Sequence, residues 1–127
     1  MTTSDKAIIS ELAQYLANGL DGVVAGVFTK TPAASEPRPY LVIKRMNATD
    51  LSTFFKHLDL LLEFVTDDPA YLEQVGASEK VGEVVDEWFD STKLDICSAP
   101  LLNSANDSDD VDAEANVALD FQLDYLP

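Results

Sequence analysis

Two segments of the chain alternate so strictly that a half-buried strand is the only regular structure that suits them. In "HLDLLLEFVT", Leu58, Leu60, Leu62 and Phe64 take every second position, with His57, Asp59 and Glu63 between and beside them. In "NVALDFQLDYLP", Val117, Leu119, Phe121, Leu123 and Tyr125 alternate with Asp120, Gln122 and Asp124. Successive side chains of a strand point to opposite faces, so each segment buries one face and turns a polar one outward. That agrees with an antiparallel sheet whose second face is solvated or covered by a partner.

The remaining segments supply what covers the apolar face. "SDKAIISELAQYLANGLDG" has Ser4 as N-cap, Asp5 in the first turn, and Ile8, Leu12, Tyr15, Leu16 and Leu20 at helical spacing. This helix is expected to end near Gly19 or Gly22. "SEKVGEVVDEWFD", Ser78 to Asp90, reads as a second helix with Val81, Val84, Val85, Trp88 and Phe89 on one stripe. "DDPAYLEQVG" starts like a helix, with Asp68 as N-cap and Pro69 at the first position, but Gly76 and Gly82 weaken it. "VVAGVFTK" reads as a bent strand, "TPAASEPRP" as a loop, and "YLVIKRM", Tyr40 to Met46, as a strand. "KLDICSA", Lys93 to Ala99, reads as a short strand burying Leu94 and Ile96. The expected architecture is α+β: a mainly antiparallel sheet of four to five strands packed on two helices.

At 127 residues with 46% hydrophobic composition, one domain spanning 1–127 is expected. No apolar run approaches the roughly 20 residues that span a bilayer. "MTTSDKAIIS" lacks the basic start and apolar stretch of a secretion signal, so synthesis in a cytoplasm is the expectation. The net charge is −15, and residues 81–127 hold 12 acids against the single base Lys93. Such a field repels phosphates, which argues against nucleic-acid binding through a basic patch. Between the last two strands, "LLNSANDSDDVDAEA", Leu101 to Ala115, reads as an acidic loop and not as a site.

Candidate chemistry is sparse. His57 is the only histidine, has no GxSxG or HExxH context, and reads as a surface or interface residue. Cys97 is the only cysteine, so an internal disulfide is excluded and a small core residue is expected. A calcium loop started at Asp110 finds Asp112 and Glu114 in place, then Ala115 where glycine belongs and Phe121 where glutamate belongs. Asp59 and Glu63 form at most a loose carboxylate pair on a strand face. No phosphate-cradling glycine pattern occurs. The expectation is therefore no catalytic residue, no metal and no cofactor, with function residing in surfaces.

The order of elements resembles that of the tail terminator, or tail completion, proteins of long-tailed bacteriophages. The helix "IISELAQYLANGL", the segment "RPYLVIKRMNATD", the strand "HLDLLLEFVTDD", the helix "KVGEVVDEWF" and the strand "NVALDFQLDYLP" carry the resemblance. The acidic segment 103–115 has no counterpart in it. The resemblance implies a structural virion protein of the tail–neck region: identical subunits in a ring, typically a hexamer. Such a ring caps the tail tube, stops its polymerisation and meets the head connector, while DNA passes through as cargo. On that reading Asp120, Gln122 and Asp124 form a lumen or outer sheet face. Phe54 and Phe55 sit in the expected hairpin tip "NATDLSTFFKH", where adjacent residues point to opposite sides and one of them serves a partner. The bland expectation is that both fold back into the core. A different class, a small acidic protein imitating DNA to occupy a nucleic-acid enzyme, also fits the charge.

Overall fold

The computed structural model describes residues 3–30, 32, 35–50, 54–97, 101–107 and 117–127, with backbone alone at 47, 69, 101–107 and 117. Helix α1 spans Asp5–Gly19, strand β1 Gly26–Phe28, β2 Tyr40–Asp50 and β3 Lys56–Val65. Helices α2, Pro69–Gln74, and α3, Ala77–Ser91, follow, and β4, Leu101–Asp107, and β5, Val117–Tyr125, close the described fold. The strands form one five-stranded sheet in the order β1-β2-β3-β5-β4. Only the β1–β2 pair is parallel; the other pairs are antiparallel. The α+β class holds, with a third, short helix added.

Local chemistry explains the helix boundaries. The Ser4 hydroxyl accepts the amide of Ala7 at 3.1 Å and satisfies one of the orphan donors that begin α1. Gly19 ends α1 where it crosses α3: a Cβ there would lie 2.3 Å from Cγ2 of Val84, so only glycine allows the approach. Asp68 caps α2, accepting from the amide of Tyr71. Gly76, at φ +62°, then turns the chain so that α3 restarts in a new direction. The glycine that weakens a single long helix here is the joint between two.

The core lies between the helices and one face of the sheet. Ile8, Leu12 and Leu16 of α1, Leu72 of α2, and Val81, Val85 and Trp88 of α3 pack against Leu41, Ile43, Leu58, Leu60, Leu62, Phe64, Leu119, Phe121, Leu123 and Tyr125. Both alternating segments thus bury the face their pattern requires. The other face carries a smaller cluster of Tyr40, Val42 and Val65 with Phe28, whose ring meets that of Tyr40 edge to face at 5.7 Å.

Three expectations change. Of the strand expected at Lys93–Ala99, residues 98 and 99 lie outside the described residues, and 93–97 make one bridge, between Ile96 and Tyr125, with Leu94 and Ile96 half-buried. The fifth strand is instead β4, paired antiparallel to β5 through residues expected to begin the acidic loop. Polar residues such as Asn103 and Asn106 have low strand propensity, but an edge strand needs only backbone pairing on one side, and the alternating β5 supplies the template. The rest of that loop, 108–115, lies outside the described residues. Finally, β2 does not stop at Met46. A register shift between Arg45 and Asn47 inserts one extra residue, and pairing with β3 continues to Asp50 opposite Lys56.

Candidate functional site

Strand β5 lies beside β3 in a register that sets His57 opposite Asp124, Asp59 opposite Gln122 and Leu61 opposite Asp120. Alternation places these residues on the face away from the helices. Asp120, Gln122 and Asp124, expected from sequence as one outer face, do share it, and each is half-buried. What the sequence does not indicate is that this face is cross-linked. His57 Nδ1 lies 2.7 Å from Oδ1 of Asp124, and its Nε2 lies 3.0 Å from Oδ1 of Asp59. Glu63 pairs with Lys44 of β2 at 2.8 Å, so the loose Asp59–Glu63 pair separates into two different contacts. Asp120 Oδ1 is buried with no hydrogen-bond partner among the described residues.

Ionised carboxylates only accept, so His57 satisfies both neighbours only as an imidazolium donating from both nitrogens. The hydrogen bond to Asp124 raises its pKa most; burial opposes this, and Asp59 adds to it. The link contributes stability that is fully present below the unfolded value of 6.5 and is lost as pH rises through the higher folded value. Melting temperature is therefore expected to fall as pH rises above about 6.5 in the native protein. His57→Gln should flatten that slope. The same slope in both proteins would assign the titration to another group.

Cys97 is exposed, against the expectation of a core position. Its amide donates to the carbonyl oxygen of Asp124 at 2.8 Å, which holds the chain at the sheet's end and leaves the side chain outside. Local desolvation and the charges of Asp124 and Asp95 push the thiol up, away from thiolate reactivity. Among the described residues no group of three or more His, Cys, Asp or Glu is placed to hold a metal ion. No helix among the described residues is long and apolar enough to cross a membrane.

Two further surfaces stand out. At the β2–β3 tip, Phe54 is 69% and Phe55 41% exposed, so the expectation that both enter the core fails. Leu126, next to the Tyr125 that pairs with Lys56, is exposed at the same end. The second surface is a groove of about 670 Å³ between α1, the end of β1 and β2, lined by Lys6, Ile9, Ala13, Lys30 and Arg45 among others. At its margin Arg45 donates to Asp5 at 2.7 Å, and the Tyr125 hydroxyl donates to the other Asp5 oxygen at 3.0 Å. The Arg45 bond holds the Asp5 carboxyl below its usual range. Burial, then Asp5, push the Tyr125 phenol up to about 12. The groove has no linear signature, because it is assembled from residues up to 41 positions apart, from Ser4 to Arg45.

Comparison of the sequence with protein-family models gives no match, and comparison with curated proteins gives none either.

Proposed function

We propose that the chain is a structural subunit of a homo-oligomeric ring at the tail–neck of a bacteriophage, where it ends the tail tube and meets the head connector. The observation that carries this reading is the division of the sheet. All helices pack on one face, while the other presents Asp59, Glu63, Asp120 and Asp124 and the hairpin tip presents exposed aromatic rings. A face with this excess of carboxylates suits a channel through which DNA passes without adhering. Exposed phenyl rings suit a protein contact. The segments that carry the resemblance to tail terminators fold as α1, β2, β3, α3 and β5 in that order, which supports the reading.

The competing reading, an acidic decoy for a nucleic-acid enzyme, needs a free array of carboxylates spaced like phosphates. Asp59 and Asp124 are instead engaged with His57, and Glu63 with Lys44. Light scattering and electron microscopy of the purified protein, alone and with tail-tube ends, test the proposal. A closed ring of identical subunits, alone or on the tube end, is expected. A strict monomer under both conditions rejects it.

A further inference from the structure

We propose that His57 is a pH-sensitive latch on the closing end of the sheet. As an imidazolium it ties β5 to β3, and on losing its proton it lets residues 123–126, with the segment 95–97 docked on them, open ahead of the core. The inference needs no partner and stands apart from the ring reading above.

Strand β5 is unevenly supported along its length. From Val117 to Gln122 it runs between β3 and β4, whose pairing starts with Leu101 opposite Gln122. Beyond Gln122, β3 continues as far as Lys56 opposite Tyr125, but on the other side the described residues supply only a short segment. There Ile96 bridges to Tyr125, the Cys97 amide donates to the Asp124 carbonyl at 2.8 Å, and the Leu126 amide donates to the Asp95 carbonyl at 2.9 Å. Openings short of global unfolding begin where few backbone bonds hold an element. Side chains tie this end on both faces: the Tyr125 hydroxyl donates to Asp5 on the helix side, and His57 holds Asp124 on the outer side.

The helix-side tie does not titrate near neutral pH, because the Tyr125 phenol is pushed up to about 12. The outer tie does. With Nδ1 on Asp124 and Nε2 on Asp59, a neutral ring has one N–H for two carboxylates. Its bare nitrogen then faces a carboxylate oxygen, lone pair against lone pair, and the two acids lose the positive charge between them. The surroundings of the ring supply no substitute among the described residues. Lys56, next along β3, is turned to the other face by alternation and lies 4.0 Å from Asp50. Lys44 of β2 is paired with Glu63. Thr49 of β2, opposite His57 in the register, and Gln122 of β5, opposite Asp59, carry no charge. The docked segment adds the acid Asp95 and the Cys97 thiol, which burial and Asp124 push up. Opening returns His57 to its ordinary value of 6.5, whereas the closed end holds the proton to higher pH. The closed form is therefore favoured fully below 6.5 and loses that advantage as pH rises through the folded value.

Native-state hydrogen exchange followed by NMR, in low urea and from below to well above pH 6.5, tests the latch. The Cys97 and Leu126 amides report the closing end, and the amides of the buried Leu12 and Leu60 report the core. After correction for intrinsic exchange, the first pair is expected to show lower protection with little dependence on urea. That protection should fall by up to about tenfold per pH unit above 6.5 and level off where the His57 ring protons finish titrating. His57→Gln should flatten the fall, and Asp124→Asn, which removes the carboxylate that raises His57 most, should shrink it. If either variant loses the closed end altogether, the native profile decides through its coincidence with the ring titration. Closing-end amides that share the protection and urea dependence of Leu12 and Leu60 would overturn the separate opening. A fall that persists unchanged in His57→Gln, or a native profile flat across the histidine titration, would overturn the latch.

Discussion

Phe121→Ala is expected to remove a large share of the protein's stability. Phe121 sits in the middle of β5, opposite Leu60 of β3, and its ring is part of the helix-side core. Strand β5 has neighbours on both sides, so nothing can slide in from solvent to fill the space. Truncating a buried phenylalanine costs about 3–5 kcal/mol, against a total stability of about 5–15 kcal/mol for a domain. Converted at about 4 °C per kcal/mol, the melting temperature should drop by about 10–20 °C. Thermal melts followed by far-ultraviolet circular dichroism read this directly. A drop below about 4 °C would mean that the ring is not packed in the core.

Asp120 and Asp124 share the outer face that their alternation requires, but neither simply points into solvent. Asp124 is tied to His57 across the strand pair, and one oxygen of Asp120 is enclosed. Period-two alternation reports which face a residue joins, but it is silent about which strand lies next door. His57 and Asp124 are separated by 67 positions, and their meeting depends on β5 inserting between β3 and β4. The same blindness explains β4. Nothing in Leu101–Asp107 alternates, and its strand character is imposed by the neighbour. By contrast β3, β5, α1 and α3 were legible because their own apolar period already determines the buried face, within a residue or two at their ends. The exposed phenyl rings lie between these cases: Phe54 and Phe55 are conspicuous in sequence, yet exposure and burial were equally compatible with it. The groove was not legible at all, since Lys6, Lys30 and Arg45 come together only through the packing of α1 on the sheet.

Trp88→Ala should be the most damaging single change in α3, and its components can be separated. Trp88 is the only tryptophan, fully buried, and its indole N–H donates to Oε1 of Glu11 on α1 at 2.8 Å. The hydroxyl of Thr92 donates to the same oxygen, so one carboxylate links α1 to the last turns of α3. Alanine at 88 removes the largest side chain of the core and strips Glu11 of one of its two donors. A loss of about 3–5 kcal/mol is expected from the cavity, with about 1–3 kcal/mol more if the carboxylate is left poorly solvated. Glu11→Ala isolates the polar part: it leaves the ring in place but orphans a buried N–H, at an expected cost of about 1–3 kcal/mol. Urea unfolding of the Glu11 variant can be followed by Trp88 fluorescence, and that of the Trp88 variant by circular dichroism. If the Glu11→Ala midpoint equals that of the native protein, the indole N–H must have found water or another acceptor. The α1–α3 contact would then be held by apolar packing, with Val84 against Gly19 and the Trp88 ring in the core.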